Sequence, residues 1–281
     1  MSTPNRPHGE EIHQLTTRAI TDATGAWDAL VAAQQEVTRA LAAARRRRRR
    51  ARSVPLKVRS ALRDFTEAIA RFSTATRALA ERWTAVDLPR IYRLGAEEAL
   101  RRAAVADRQA RPGFAWHDEH QRVIKTVTSS LYALLIQRFT DVVRRAQAFA
   151  RAATATAREA DPPPAAALAE EHPLDTVVYA RAIRHPAASW ARSAFGAQSI
   201  TAANAGALAA ARADLGAHWV QVTDGPECGW TSHTDVDQAH NTLRSATQAA
   251  AHPIAHPGCL RMFIPRPDLN DRPDLEEGQP L

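Results

Sequence analysis

Residues 219–261 read WVQVTDGPECGWTSHTDVDQAHNTLRSATQAAAHPIAHPGCLR, and this stretch organises the C-terminal part of the chain. It contains both cysteines, Cys228 and Cys259, and each has a histidine nearby, at His233 and His256. A thiolate and an imidazole at each end of a loop–helix–loop are ligands of a tetrahedral Cys2His2 zinc site. One ion bound by both clusters would stabilise a small domain that buries little apolar surface.

The same residues are also compatible with ordinary structural roles. The cysteines could form a disulfide or be two unrelated buried thiols, and histidines before prolines are common in loops. No signal peptide opens the chain, so we expect a reducing compartment, which disfavours a disulfide. The spacings are looser than those of a double CxxC site, and His240 and His252 are further candidates for the histidine positions.

The order of residues in this stretch is similar to that of a known family. One pattern is Trp219-x4-Asp224-x3-Cys228, and after a predicted helix a second is His256-Pro-Gly-Cys259-x-Arg261. Together they resemble the C-terminal domain of the phage Mu F-like minor head proteins. That family has a tryptophan, then an aspartate before a CxxC-like pair, and later an HPxCRC-like end.

Two segments farther back extend the resemblance. Ile200-Thr-Ala-Ala-Asn204, followed by Gly216, looks like the helix that leads into the family's C-terminal pattern. The pattern Leu88-Pro89-x2-Tyr92-x2-Gly95-x3-Ala99 is similar to one that precedes the family's central helices. The resemblance therefore covers the last third of the chain well and the middle loosely.

The chain also departs from the family pattern. Thr231 stands where the second cysteine of the CxxC-like pair is expected, and the last cysteine of the CRC-like end is absent. Either His233 and His256 complete a zinc site with Cys228 and Cys259, or the metal is lost and hydrogen bonds hold the loop.

Charge is distributed unevenly along the 281 residues. The net charge is +7, but residues 1–170 carry 29 basic and 18 acidic side chains (net +11), and residues 171–281 carry 8 and 12 (net −4). Lys57 and Lys125 are the only lysines, which together with the alanine content indicates a coding bias, so arginine alone is weak evidence for nucleic acid. No apolar run approaches the roughly 20 residues of a membrane span, so we expect no membrane contact.

Two long helices are predicted to form a coiled-coil hairpin. The composition is helical from Glu10 to Ala51, and Ser53-Val54-Pro55 ends the helix. In both helices the apolar positions recur at alternating steps of four and three residues, which places them on one side of the helix as a seam that can face a partner helix. The second helix should therefore fold back antiparallel on the first. The first seam is Ala23, Trp27, Leu30, Gln34, Val37 and Leu41; the second is Val58, Leu62, Phe65, Ile69, Phe72, Thr76, Leu79, Trp83 and Val86.

A run of arginines stands at the tip of this hairpin. It could be a solvated helix end, where cations complement the helix dipole. So many like charges in one short stretch of chain favour a polyanion partner instead, and we predict non-specific contact with double-stranded DNA. Aromatic residues are not interleaved, so sequence-specific recognition is not indicated. The predicted DNA-binding residues are Arg45, Arg46, Arg47, Arg48, Arg49, Arg50 and Arg52.

The middle of the chain predicts two more helices. One begins at Asp87 and runs to about Gln109; the other runs from about His117 to Ala160 with a wide apolar face. His117-x2-His120 lies in the first turn of that helix, where metal binding is possible but ordinary helix-start chemistry is favoured.

In the C-terminal part, one or two Ala-rich helices are predicted between about residues 180 and 215, followed by a strand at residues 219–222. Residues 262–264 could pair with this strand and bring the two ligand clusters together. A helix capped by Thr234 or Asp235 should end by His252.

The fold class is therefore mainly α: a long antiparallel helical hairpin arm, a helical middle, and a small α+β C-terminal domain that a metal could pin. The predicted domains are a disordered leader (1–8), an α-helical arm and bundle with a basic tip (9–161), a Pro-rich linker (162–171), an F-like C-terminal domain (172–265) and an extended tail (266–281). The tail is predicted to become ordered only when bound to a partner.

The resemblance implies a structural protein, a minor capsid (head morphogenesis) protein of a tailed phage or prophage. Such a protein would lie at or near the portal inside the head, contact the portal and other head proteins, and support procapsid assembly and DNA packaging or delivery. It would be part of the virion and pass through the host cytoplasm during assembly. The alternative is a metal-dependent nuclease or toxin-like enzyme that uses the C-terminal Cys/His domain with Asp224, His240 and Asn241. No GxSxG, Walker loop or HExxH motif occurs, so we expect no enzyme activity and no catalytic residues.

Overall fold

The fold is taken from a computed structural model, which describes residues 9–47, 55–104, 112–159, 162–179, 183–224, 239–256 and 258–281. Within these ranges the chain is mainly α-helical with a small sheet near its C-terminus, which confirms the predicted fold class. The predicted leader, residues 1–8, lies outside the described residues. None of the helices in the described ranges is long and apolar enough to cross a bilayer.

The regular elements follow one another in a simple order. The helices are α1 (Gly9–Arg47), α2 (Leu56–Arg82), α3 (Leu88–Arg102), α4 (Asp118–Thr156), α5 (Ala165–Glu171), α6 (Ala187–Ala209) and α7 (Ala246–Ala251). The strands are β1 (Thr176–Val178), β2 (Arg184–Pro186), β3 (Trp219–Thr223), β4 (Leu243–Ser245) and β5 (Met262–Pro265). Trp83–Asp87 and Ala210–Asp214 are π-helical, and Pro267–Leu269 is a 3-10 turn.

Contacts divide the chain into two compact units. The sheet unit combines Met1–Arg18, Arg82–Tyr132 and Ser193–Leu281, and the bundle unit combines Ala19–Glu81 and Ala133–Arg192. Each unit joins segments distant in sequence, and the Pro-rich segment predicted as a linker belongs to the bundle unit. The consecutive domain boundaries stay a prediction.

The bundle unit contains the first predicted heptad seam and the second as far as Leu79. Trp83 and Val86 belong to the sheet unit, and the prediction that Val86 lies in a buried seam is wrong, because its side chain is 59% exposed. Trp27 of α1 meets Phe72 of α2 edge-on with ring centroids 5.4 Å apart. Leu41 and Val58 line one cavity, so α1 and α2 run antiparallel as predicted. Along the seam of α2, Leu62 is only partly buried, and the buried seam positions are Val58, Phe65, Ile69, Phe72, Thr76 and Leu79.

Helix α4 covers both of these helices in the bundle unit. Its Phe139 ring lies 5.8 Å from Trp27 and 6.3 Å from Phe72, and its Phe149 ring lies 5.2 Å from Phe65. The predicted hairpin is therefore part of a bundle, since three helices share its apolar seam. Large aromatic side chains contribute most of the apolar area that such a bundle buries.

The polar residue in the first seam also has a structural explanation. The amide of Gln34 donates to the carbonyl of His172 at 2.7 Å, and Trp27 Nε1 donates to the carbonyl of Leu174 at 3.1 Å. Side chains of α1 therefore satisfy backbone carbonyls of the segment after α5, which would otherwise be buried without a donor.

In the sheet unit, the helix predicted to begin at Asp87 is instead a continuation of the preceding one. The π-helical turn Trp83–Asp87 joins α2 to α3, and the N–H of Leu88 donates to the carbonyl of Trp83. Pro89 has no N–H and its ring would crowd the carbonyl four residues earlier, so a wider turn accommodates it. Asp87, 1% exposed, pairs there with Arg18 at 2.7 Å and Arg82 at 3.2 Å.

The C-terminal sheet is antiparallel with strand order β4-β3-β5. Val222 pairs with Phe263 and Gln221 with Ile264, which confirms the predicted pairing. The predicted helix ending by His252 is partly wrong, because Leu243–Ser245 is a strand. The two residues predicted to cap that helix, Thr234 and Asp235, lie outside the described ranges. Helix α7 starts at Ala246, and the Ser245 hydroxyl accepts a hydrogen bond from the N–H of Gln248.

The C-terminal tail packs on the sheet, so the prediction that it is ordered only when bound is wrong. The N–H of Leu243 donates to the carbonyl of Gln279 at 2.9 Å, and the N–H of Gly278 donates to that of Leu243 at 2.8 Å. The Glu277 carboxylate accepts from the N–H of Ser245. Strand β4 would otherwise present unpaired backbone groups at the sheet edge, and the tail satisfies them.

Helices α3 and α6 cross with their backbones in direct contact. A Cβ atom added to Gly95 would lie 2.0 Å from the carbonyl oxygen of Ala203, and one added to Gly206 would lie 2.0 Å from that of Tyr92. Real Cβ atoms do not approach backbone so closely, so glycine at both positions permits the crossing.

We predict that Gly206→Ala destabilises the protein by about 3 kcal/mol or more, because the methyl group would force two backbones apart. The matched control lies on the same helix. A Cβ at Gly196 meets nothing within 4 Å, so Gly196→Ala should stabilise by about 0.5–1 kcal/mol through helix propensity. Urea denaturation measures both changes, and equal effects of the two variants would contradict the crossing.

Candidate functional site

The predicted zinc ligands are only partly within the described residues. Cys228 and His233 lie outside them. Cys259 is 1% exposed, its N–H donates to the carbonyl of His256 at 2.9 Å, and its sulfur lies 4.0 Å from Asp224 Oδ1. The described half of the site therefore places Cys259 beside Asp224, and the four-ligand arrangement stays a prediction.

A buried ion pair joins the two patterns that resemble the head proteins. Arg261 Nε donates to Asp224 Oδ1 and Arg261 Nη2 to Asp224 Oδ2, both at 2.9 Å. The two side chains are 1% and 0% exposed. Strand pairing brings them together, because Thr223 and Met262 are partners in the β3–β5 register. This fork-to-fork geometry satisfies both charges where water cannot reach them.

Further hydrogen bonds tie the ion pair to its surroundings. Arg261 Nη1 donates to the carbonyl of His252 at 2.9 Å. The amide of Asn204 on α6, 3% exposed, donates to the carbonyls of Pro253 at 2.7 Å and Arg261 at 3.0 Å. The buried amide of Asn204 therefore ties α6 to the segment between α7 and β5.

The residues considered for a nuclease take part in the same framework. The backbone N–H of Asp224 donates to His240 Nδ1 at 3.1 Å. Asn241 has a left-handed backbone with a φ of 57°, which asparagine tolerates better than most residues, and its N–H donates to the carbonyl of Val222 at 2.9 Å. These contacts shape the turn into β4 and leave the Asp224 carboxylate engaged with Arg261.

A second polar cluster in the sheet unit consists of His117, His120, Asp214 and Tyr92; we call it the His–Asp cluster. His117 Nε2 lies 2.9 Å from Asp214 Oδ1, and His120 Nε2 lies 3.1 Å from Asp214 Oδ2. The hydroxyl of Tyr92 lies 2.7 Å from His120 Nδ1. His120 is fully buried, and the side chains of Asp214 and His117 are 11% and 38% exposed.

The surroundings of the His–Asp cluster are apolar on one side and charged on the other. The rings of Phe114 and Trp116 lie 4.9 Å and 6.2 Å from the His120 ring. Burial raises the pKa of Tyr92, and the negative charges of Glu119 and Asp214 raise it further. The Tyr92 hydroxyl therefore keeps its proton at neutral pH.

The His–Asp cluster could hold a metal ion, because its three donor atoms lie within 4.8 Å of one another. Both histidines stand out in the sequence, where an ordinary helix start is the favoured prediction. Asp214 does not stand out, and it ends the π-helical turn that extends α6. No sequence signal connects Asp214 to residues more than ninety positions earlier, so folding alone reveals the group.

The arginine run is described at its beginning only. Arg45 and Arg46 are exposed in the last turn of α1, which Arg47 ends. Arg48, Arg49, Arg50 and Arg52 lie outside the described residues. The predicted DNA contact stays a prediction.

Comparison with protein-family models, with curated proteins and with solved structures finds no match to this chain. The proposed relationship to the Mu F-like proteins therefore rests on the sequence patterns that resemble them and on where the fold places those patterns.

We predict that Arg261→Met destabilises the protein by about 3–5 kcal/mol, because it leaves the Asp224 carboxylate buried without its partner. The double variant Asp224→Leu/Arg261→Met should recover part of this loss, since neither charge is then buried. Chemical denaturation of both variants measures the difference.

An exposed pair supplies the matched control. Arg272 and Asp274 form the same two-bond contact at 2.8 and 2.7 Å, with side chains 55% and 59% exposed. Arg272→Met should leave the unfolding midpoint unchanged, because water screens an exposed pair. A midpoint shift as large as that of Arg261→Met would contradict the dependence on burial.

Proposed function

We propose that the chain is a structural minor head protein of a tailed phage or prophage, located at or near the portal inside the head. In this role it contacts the portal and other head proteins and supports procapsid assembly and DNA packaging or delivery. It belongs to the virion and passes through the host cytoplasm during assembly. The proposal includes no catalytic step.

The observation that carries the proposal is the convergence of the segments that resemble the Mu F-like proteins. Gly95, in the segment that begins at Leu88, meets Ala203 in the segment that begins at Ile200. Asn204 in that second segment donates to the carbonyl of Arg261. Arg261 in turn pairs with Asp224 at the end of β3. Segments spread over more than 170 residues thus form one network in the sheet unit. This supports the proposal that the segments belong to the same domain.

The chemistry of this network suits a scaffold. Both carboxylate oxygens of Asp224 accept from one guanidinium, and both side chains are sealed from water. A reacting group has to reach its substrate, whereas a buried and fully paired one stabilises a single arrangement. The network therefore supports a protein that presents rigid surfaces to its neighbours.

Zinc at Cys228, His233, His256 and Cys259 belongs to the same proposal. Its support is the placement of Cys259 in a turn closed by the carbonyl of His256, next to Asp224. An ion there would tie the segment that follows β3 to the segment that precedes β5, as structural zinc does in other small domains.

Non-specific DNA contact is proposed for Arg45 to Arg50 and Arg52. Arg45 and Arg46 are exposed at the C-terminal end of α1, and the first 170 residues carry most of the positive charge. Arginines that neutralise phosphates release counterions, so binding should weaken steeply with salt.

We predict a log–log salt slope of roughly −6 for duplex DNA if all seven arginines contact phosphate. Replacing Arg45, Arg46 and Arg47 by Gln should flatten the slope by about 3, at unchanged helicity. Filter binding across a salt series measures the slope.

The matched control removes the same charge elsewhere. Arg63, Arg71 and Arg77 are exposed on α2, and replacing all three by Gln should leave the slope nearly as it is. Equal flattening by both triple variants would mean that overall charge, and not the arginine run, binds DNA.

The alternative function is a metal-dependent nuclease or toxin-like enzyme. A single experiment with two measurements separates the two functions. The chain is expressed together with phage head proteins, a portal protein among them, and purified particles are analysed by quantitative mass spectrometry. In parallel, the purified protein is incubated with plasmid DNA and Mg²⁺, Mn²⁺ or Zn²⁺. We expect a few copies per particle and intact plasmid.

The contrary result is equally definite. Metal-dependent cleavage that is lost in His240→Ala, together with absence from particles, would overturn the structural proposal. The ring of His240 is exposed but accepts a hydrogen bond from the N–H of Asp224, so circular dichroism has to show an unchanged fold in His240→Ala before a loss of cleavage is assigned to chemistry.

A further inference from the structure

We infer that His117, His120 and Asp214 bind a divalent transition-metal ion of the zinc class, at a site separate from the zinc site predicted at Cys228, His233, His256 and Cys259. The group is assembled from parts of the sheet unit that are distant in sequence. His117 and His120 stand at the start of α4, and Asp214 ends the π-helical turn after α6. π-helical turns are rare and are frequent at functional sites, which is an independent indication of a role for this one.

The distances between donor atoms suit a shared ion. Ligand atoms about 2.1 Å from a tetrahedral zinc lie roughly 3.4 Å from one another. Here the two imidazole nitrogens lie 2.9 and 3.1 Å from the carboxylate oxygens they face. In each contact an imidazole nitrogen faces a carboxylate oxygen, and a proton or a metal ion has to lie between their lone pairs. One ion placed among the three groups replaces the protons, and the two nitrogen–oxygen contacts would lengthen by only a few tenths of an ångström to reach the tetrahedral spacing.

The charge balance also favours a cation. The Asp214 carboxylate is largely buried, and both of its oxygens face imidazole nitrogens. Arg212 lies near but pairs with Glu119 at 3.4 Å. A divalent ion bound here would place its positive charge against the carboxylate, in a site whose other wall is aromatic.

The surrounding contacts prepare His120 as a ligand. Its Nδ1 faces the Tyr92 hydroxyl at 2.7 Å, which leaves Nε2 directed at Asp214. Metal-bound histidines commonly place their second ring nitrogen in such a hydrogen bond, which fixes the orientation of the ring. Tyr92 is itself held by the crossing of α3 on α6, since its carbonyl lies against Gly206.

The donor set selects the class of ion. Two imidazoles and one carboxylate suit Zn²⁺, Fe²⁺, Co²⁺ or Ni²⁺, whereas Mg²⁺ and Ca²⁺ prefer sites made only of oxygen. Three protein ligands leave one position of a tetrahedral ion for water. His117 is the most exposed of the three ligands, so that position can be reached from solvent.

The test measures Zn²⁺ affinity by competition with a chromophoric chelator, in the Cys228→Ser variant so that the loop site cannot contribute its full ligand set. We expect one Zn²⁺ per chain. In this background Asp214→Asn and His117→Gln should each weaken binding at least tenfold. Tyr92→Phe should weaken it about 10- to 100-fold while leaving every ligand in place. Co²⁺ in the same site should give visible absorption without a thiolate charge-transfer band.

His13→Gln is the matched control, because His13 is an exposed histidine of α1 and its loss should change nothing. Circular dichroism checks each variant, and His117→Gln is the decisive one, since a partly exposed side chain is replaced. Equal Zn²⁺ affinity in His117→Gln and its parent would overturn the inference. Binding of Mg²⁺ but not Zn²⁺ would overturn the assigned class of ion.

Discussion

The contact on which the sheet unit depends is the backbone crossing of α3 on α6. Gly95 and Gly206 let the two helices approach until carbonyl oxygens occupy the space of a side chain. Rotation or sliding of either helix would bring a residue with a side chain into this contact, so the close approach restricts both movements. The residues near the crossing on both helices are therefore placed within a narrow range, and the polar groups they carry meet partners distant in sequence.

Two polar clusters in the sheet unit show what this placement achieves. Asn204, two residues before Gly206, bonds the carbonyl of Arg261 and so reaches the pair formed with Asp224. Tyr92, three residues before Gly95, bonds His120. The first cluster neutralises its own charges and serves stability. The second contains one carboxylate between two imidazoles, and a proton or a metal ion has to complete it. Rigid placement thus gives a fully paired ion pair at Asp224 and Arg261, and a group of possible metal ligands in the His–Asp cluster.

Local patterns predicted much of this fold, and long-range contacts account for what they missed. The α1 and α2 seams follow a 3.5-residue repeat, which any partner helix must respect, so their pairing was predictable. The β3–β5 pair was predictable from alternation and a turn at Asp224. Strand β4 was missed because Leu243–Ser245 is short and is stabilised by neighbours on both sides, one of them the tail. Asp214 carries no local signal of its role, since the histidines it meets belong to another helix. Half of the Cys/His loop and most of the arginine run lie outside the described residues, so those sites remain predictions.

We expect the segments resembling the head proteins to form one cooperative scaffold, a claim that can be checked by native-state hydrogen exchange. Mass spectrometry of peptides under increasing low concentrations of denaturant gives the opening free energy of each segment. We expect peptides from α3, the end of α6, β3 and β5 to lose protection together. Early loss of protection in β3 and β5, while α3 and α6 stay protected, would show that the sheet opens on its own and would contradict the claim.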